Sequence, residues 1–315
     1  MNNPVISALL PVVLLIAIGF MAGRMGWVRA QATKDLSTLV FMVLTPALLF
    51  RTMSTVHVQE LNFKPVLMYF VASALLFGLM LVWHGVSRRA TVLALAATFS
   101  NTVMIGVPLI GLAYGQAGLI MLFTLISVHA LVLLTFATLA LELAVARELA
   151  ASAGVNRQHL LLTVFVAVRG SIMHPVSLPI IVGLAFAQTG LMIPALLDRP
   201  LQLLANAFGP MALVLVGITL AFVRVGDHLR AALGLSLIKN LAFPALVAVL
   251  SWSMGIDGLP LKVMIVVASL PIGANVFMFS QRYQVAEELV TASMAVSTML
   301  ALVTVSLVMI VLGGV

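Results

Sequence analysis

The chain has no cysteine, so disulfides and thiolate-held metal ions are excluded. It is also poor in charge: 8% of its 315 residues are charged, against about 25% in an average soluble chain. Acidic side chains are the scarcest, with nine Asp and Glu against sixteen Lys and Arg. No Walker loop, no His/Glu zinc spacing and no Ser/His/Asp order occurs, so hydrolase and nucleotide chemistry have no support. Ser100 has no base partner of the kind an intramembrane nucleophile needs. What is abundant is apolar: 63% of residues are hydrophobic and the mean hydropathy is +1.23. The solvent for most of this chain is lipid, and its length accommodates about ten crossings of ~20 residues each, with no separate soluble domain. The eighteen methionines read as apolar filling rather than a metal path.

The apolar runs fall at about 5–22, 36–53, 66–86, 91–114, 119–141, 175–188, 201–223, 233–254, 261–280 and 289–312. The first is read as a retained span rather than a removed leader, because Met1-Asn2-Asn3-Pro4 carries no positive charge. The most polar stretch lies between the fifth and sixth runs. Residues 144–173 therefore form a linker with a possible interfacial helix at 160–171, between a first unit of five spans (1–143) and a second (174–315). The formal charge of +7 reads as membrane topology rather than nucleic-acid binding, since the basic residues lie in short loops. With the N-terminus outside, inner loops hold eleven Lys and Arg and outer loops four, with Lys239 inside a span. Both termini are expected outside. Five spans per unit is an odd number, so the second unit is inverted relative to the first. Spans 2 and 7 each contain a proline, Pro46 and Pro210. Spans 4 and 9 are each interrupted at the middle. This is the layout of an inverted repeat.

The two interruptions are Ser100-Asn101-Thr102-Val103-Met104-Ile105-Gly106-Val107-Pro108 and Ser269-Leu270-Pro271-Ile272-Gly273-Ala274-Asn275. A lipid-facing helix needs none of these residues. Paired Gly/Pro-interrupted spans in two halves are the best sequence pointer to a transporter site. A broken helix exposes backbone donors and acceptors that lipid cannot satisfy, so it faces protein, water or ligand. If Pro108 opens a second half-helix, that helix N-terminus directs partial positive charge at the midplane. The side chains favoured for contact with a small organic anion are Asn101 and Asn275. Each amide both donates and accepts. Ser100, Thr102, Gly106, Pro108, Pro271 and Gly273 line the same space. The competing reading is that both asparagines only cap broken ends.

Lys239 and Asn240 form a second polar pair, inside span 8. A lysine there costs ~2.5–3.5 kcal/mol unless it snorkels or is paired. It either reaches the inner surface or attracts and gates an anion. No Asp or Glu lies within a span, which disfavours carboxylate proton relays and sodium sites. His129 and His84 are the candidates for proton coupling, each against a bland alternative of a satisfied core or interfacial histidine. Arg51 reads as an interfacial anchor. No cofactor and no metal are implied, and the partners are the organic anion and the bilayer.

Ser100-Asn101-Thr102 through Gly106-Val107-Pro108, followed by Gly115-Gln116-Ala117-Gly118, resembles the fourth segment of the auxin efflux carrier family. Leu44-Thr45-Pro46-Ala47-Leu48-Leu49-Phe50 resembles its second segment. Lys239-Asn240-Leu241-Ala242-Phe243-Pro244 resembles its eighth, and Pro271-Ile272-Gly273-Ala274-Asn275 its ninth. The resemblance spans nearly the whole chain. It implies an all-α membrane protein of ten transmembrane helices in two inverted five-helix repeats, with broken helices 4 and 9 crossing. It also implies a scaffold part, a moving part that carries the crossing, and a homodimer. The family's cargo is small carboxylates such as auxin, malonate or malate, moved across the plasma membrane. Asn101, Asn275, Pro108 and Pro271 fall where the family places its crossing and substrate contacts. The short mid-chain loop matches bacterial members. No acidic core residue matches the sodium site of the related bile-acid symporters, so a proton is favoured over sodium. The function expected is secondary active transport by alternating access. The alternatives are a passive anion channel and a non-transporting receptor.

Overall fold

A computed structural model describes residues 4–56, 61–150, 176–223 and 225–313. The expected interfacial helix at 160–171 lies outside them, as do His57, Glu60, Arg224 and the linker beyond Ala150. The described residues are helical with short connections and contain no strand. In chain order the helices are α1 (Pro4–Arg24), α2 (Ala30–Met53), α3 (Phe63–His84), α4 (Arg88–Thr98) and α5 (Val107–Ala150). Then follow α6 (Ser177–Ala187), α7 (Ala195–Phe222), α8 (Gly226–Ser253), α9 (Gly258–Ser269), α10 (Asn275–Tyr283) and α11 (Glu287–Val311). Among the described residues, six stretches can cross a membrane by length and composition: Ala30–Met53, Phe63–His84, Thr102–Val145, Ala195–Phe222, Gly226–Ser253 and Glu287–Val311. Shorter apolar helices lie at Leu9–Arg24, Leu178–Ala187 and Gly258–Ser269. With family membership, shown below, this makes the chain an integral membrane protein.

Several boundaries differ from the sequence reading. α7 begins at Ala195 rather than after Pro200, because Pro194 sits at its N-cap and Asp198 occupies its first turn, where negative charge is favoured. Asp198 and Asp35 are thus helical, not loop residues. α5 runs on to Ala150 and is turned sharply at Gly115, whose φ of 60° and ψ of −151° only glycine adopts without strain. That is the turn expected from Gly115-Gln116-Ala117-Gly118.

Among the described residues, three π turns punctuate the helices: Val40–Leu44, Thr102–Gly106 and Ile238–Ala242. Each is followed after one residue by proline: Pro46, Pro108 and Pro244. Proline offers no N–H to the preceding turn, so a wider i→i+5 turn reroutes the hydrogen bonds. In the first of them Thr45 donates to the Val40 carbonyl through its hydroxyl, at 2.8 Å, as well as its backbone N–H.

The helices gather into two groups. α1, α2, α6 and α7 pack together; α3, α4, α8, α9 and α11 pack together. Inside lipid there is little hydrophobic drive between helices, so close packing carries association, and small residues permit it. α1 and α7 meet through Gly19, Gly23 and Gly217. A Cβ on Gly19 would stand 2.0 Å from the Val214 carbonyl oxygen, and one on Gly217 2.0 Å from the Ile16 carbonyl oxygen. Gly183 of α6 likewise abuts Phe50 of α2. The first half of α5 lies between the groups, against α1 and α7. Side chains along that contact, including Leu9, Val12, Ile16, Ile105 and Leu109, are buried and apolar.

Candidate functional site: a crossing of two broken helices

α4 stops at Thr98 and α9 at Ser269, and the chain beyond each is extended for a few residues. These two extended pieces cross. The Asn101 N–H donates to the Pro271 carbonyl at 2.8 Å, and the Gly273 N–H donates to the Phe99 carbonyl at 2.9 Å. Ser100 and Ile272 form the antiparallel bridge between them. Each interruption thereby satisfies the other, which answers the demand that no backbone polar group be left bare in lipid. Gly273 is required for this approach: a Cβ there would lie 2.8 Å from Phe99 Cδ1 and 3.0 Å from the Ser100 carbonyl oxygen.

Side chains from α8 and α11 meet further backbone groups of the crossing, and one from α3 meets the Ser100 hydroxyl. Lys239 of α8 is fully buried, and its ammonium donates to the Ala268 and Leu270 carbonyls, each at 2.6 Å. It also lies 5.1 Å from the Phe243 ring centroid. The charge sits at the C-terminus of α9, where a cation is favoured. Lys239 therefore does not snorkel to a surface. Ser297 of α11 accepts from the Ile272 N–H at 3.2 Å. Asn240 donates through Nδ2 to the Ser297 carbonyl at 2.8 Å, tying α8 to α11, while its Oδ1 has no partner among the described residues. Tyr69 of α3 shares a hydrogen bond of 2.9 Å with the Ser100 hydroxyl and a longer one of 3.4 Å with His129 Nε2. His129 of α5 also packs on Phe99, with ring centroids 4.5 Å apart. Tyr69 lies in an apolar run, and nothing in the sequence marked it for a role.

The chain resumes helical geometry at Thr102, six residues before Pro108. Asn101 is the N-cap of that turn, and its Oδ1 accepts from the Met104 N–H at 3.2 Å. The half-helix thus opens at Asn101 and not at Pro108. Pro108 is buried, its Cβ 3.7 Å from where a Cβ on Gly209 would stand. The Nδ2 of Asn101 and the side chain of Asn275, in the first turn of α10, make no hydrogen bond among the described residues.

Two cavities meet at this point. The smaller, about 50 Å³, is lined by Ser100, Asn101, Thr102, His129, Gly273 and Asn275, among others. That is several times the ~10–15 Å³ one water needs. The larger, about 260 Å³, runs between α2, α7 and α11 and carries Ser37, Thr219, Thr291 and Thr298. Phe41, Asn101, Met104 and Ala274 belong to both. Of the expected site residues, Ser100, Asn101, Thr102, Gly273 and Asn275 thus share one cavity. Gly106, whose Cβ would meet Leu270, and Pro271 pack behind it. Lys239 and Asn240 brace the crossing from α8. His84 is exposed at the end of α3, its Nδ1 3.1 Å from the Met80 carbonyl oxygen, and takes no part. Among the described residues no cluster of His, Asp and Glu could hold a metal ion.

Paired helices broken at mid-length and joined by backbone hydrogen bonds are the kind of site transporters build at the membrane midplane. The chain belongs to the membrane transport protein family, the auxin efflux carriers, whose profile matches residues 4–309. It is 27% identical over 305 residues to a protein of Rhizobium meliloti (strain 1021) named "Putative malonate transporter", covering 94% of this chain and 92% of that one. It is 21% identical over 349 residues to auxin efflux carrier component 8 of Arabidopsis thaliana, covering 95% of each. It is 23% identical over 310 residues to the uncharacterized transporter YfdV of Escherichia coli (strain K12), again covering 95% of each. The protein is a membrane transporter.

Proposed function

We propose that this transporter is a secondary carrier of small organic anions, mono- or dicarboxylates of the malonate, malate or auxin type, working by alternating access in the plasma membrane. The observation that carries this reading is the position of Asn101. It caps the half-helix with its oxygen, leaves its Nδ2 uncommitted, and borders both cavities. A carboxylate head in the smaller cavity would meet the Asn101 and Asn275 amides, the Ser100 and Thr102 hydroxyls and the positive end of the half-helix. The rest of the anion would occupy the larger cavity. The name of the Rhizobium relative favours malonate as the first cargo to try.

In this reading the ten spans form two inverted five-helix repeats, 1–143 and 174–315, joined by the linker 144–173, with both termini outside. The larger cavity then opens to the cytoplasm, beside basic inner loops that concentrate anions. The α1–α2–α6–α7 group is the scaffold, and the group holding the crossing slides along the apolar side chains of α1. The proton is the favoured coupling ion. His129 is its carrier, since it borders the smaller cavity and reaches Ser100 through Tyr69. A homodimer completes the reading.

The test is malonate flux in proteoliposomes. A carrier gives saturable flux with counterflow, in which an outward gradient of unlabelled malonate drives labelled malonate inward. A channel gives flux without counterflow, and a receptor gives none. Either of those results contradicts the proposal.

A further inference from the structure

A third cavity, the largest of the three at about 420 Å³, lies at the other end of the molecule from the mouth between α2, α7 and α11. Its lining includes Arg51, Thr52, Ser54 and Thr55 at the end of α2, Gln116 beside the bend of α5, and Asp198 in the first turn of α7. Arg51 and Asp198 form a two-point ion pair: Nε to Oδ1 at 2.7 Å and Nη2 to Oδ2 at 3.2 Å. Both side chains keep about a third of their exposure, 34% each, so the pair is reachable from the cavity.

The donors around this space are only partly used. A guanidinium carries five N–H donors in a rigid fork, and the pair with Asp198 takes two of them. The Thr52 hydroxyl and the Gln116 amide also border the space. The C-terminal carbonyls of α2, which would repel an anion, are covered: Ser54 donates to the Arg51 carbonyl at 2.8 Å and Thr55 to the Thr52 carbonyl at 3.1 Å. The N-terminus of the 28-residue α7 adds partial positive charge. That same terminus stabilises Asp198 independently of Arg51, so Arg51 can turn toward another carboxylate without leaving Asp198 bare.

We infer that this cavity is a second site for small carboxylates, with Arg51 as the anion-binding residue and Asp198 as a built-in competitor that keeps the affinity low. The occupant is of the same chemical class as the cargo proposed for the crossing, and in that respect alone the inference rests on that reading. A weak site suits a mouth, where an anion must arrive and leave. The wall is shared between α2, α6 and α7 on one side and the α5 bend on the other. A shift of α5 relative to α7 would therefore change the size of the site.

The test is equilibrium binding of labelled malonate to the full chain in nanodiscs, in an Asn101→Ala background so that the crossing does not contribute. Asp198→Asn should raise affinity on the order of tenfold, because it removes one charge-assisted competitor. Arg51→Gln should abolish the residual binding, and in the Asp198→Asn protein it should cancel the gain. Thermal melting of each variant without malonate checks that the fold is intact. Arg51→Lys serves as a second variant that keeps the charge if Arg51→Gln does not fold. Unchanged or weakened binding in Asp198→Asn overturns the inference, as does a gain that survives loss of Arg51. Malonate binding that is lost in Arg51→Gln and is the same in the wild type as in Asn101→Ala sustains this site and contradicts the crossing as the binding place, so the two failures are distinct.

Discussion

The backbone N–H of Asn101 donates to the carbonyl of Pro271 across 170 residues of chain, at 2.8 Å. Proline ends α9 because it breaks the helical hydrogen-bond ladder, and its own carbonyl then points out of the helix. Asparagine starts the next turn because its side chain caps it. One hydrogen bond thus joins a stop signal in one half of the chain to a start signal in the other. The side chain of Asn101 remains available because its backbone already holds the crossing together.

Capping and binding by Asn101 can be separated. Asn101→Ser retains an N-cap oxygen but loses the Nδ2 donor, whereas Asn101→Ala loses both. Loss of the cap costs ~1 kcal/mol. Asn101→Ser should melt close to the wild type and still fail to transport malonate. Wild-type flux in Asn101→Ser would mean that the residue is only a cap.

Lys239 should be structural first. Lys239→Met leaves the Ala268 and Leu270 carbonyls without their donor, at about 1–3 kcal/mol for each buried acceptor. Thermal denaturation in detergent should show a large drop in melting temperature, with less protein recovered. A variant that melts like the wild type would mean that water or another side chain replaces the ammonium.

Gly273→Ala should wedge the crossing apart against Phe99, costing about 1–3 kcal/mol of overpacking. Because the clash is chiefly with the Phe99 ring, Phe99→Leu should relieve part of it. In a double-mutant cycle the pair should lose less than the sum of the single changes. Strict additivity would argue against the contact.

Gly19→Leu and Gly217→Leu should separate α1 from α7, since even a Cβ at either position overlaps backbone. Both should fall in thermal stability by at least ~1–3 kcal/mol. Gly85→Ala is less informative, because that glycine has a φ of 75° and open space around it.

His129 and His84 should differ in proton coupling. An imidazole can take up and release a proton in place. Malonate uptake driven by an acid exterior should therefore lose its dependence on the proton gradient in His129→Gln while exchange persists. His84→Gln should behave as the wild type. A gradient dependence unchanged in His129→Gln would move proton coupling elsewhere.

Much of this arrangement was legible in the chain itself. Glycine, proline and asparagine at mid-span have no use in lipid, so both interruptions announced themselves, as did the turn at Gly115. Where the helix resumes was less readable. Thr102–Gly106 forms a π turn, and its wider spacing leaves no composition signal, so Pro108 looked like the start when Asn101 is. The glycine spacing of α1, Gly19 and Gly23, and Gly217 of α7 were visible as residues but not as partners. The same holds for Arg51 and Asp198, which are 147 positions apart. Lys239 stood out, but its partners are main-chain carbonyls, which any residue supplies. Tyr69 gave no warning, because a tyrosine in an apolar run reads as core until its hydroxyl is seen to reach Ser100.

The most direct measurement is thermal stabilisation of the purified protein by malonate, wild type beside Asn101→Ser and Asn275→Ala. A ligand that binds only the folded state raises stability with its concentration relative to its dissociation constant. If the crossing holds the anion, malonate raises the melting temperature of the wild type by far more than that of either variant; the variants retain only the small shift that the weak Arg51 site gives all three. Equal stabilisation of all three proteins would contradict the crossing as the binding site.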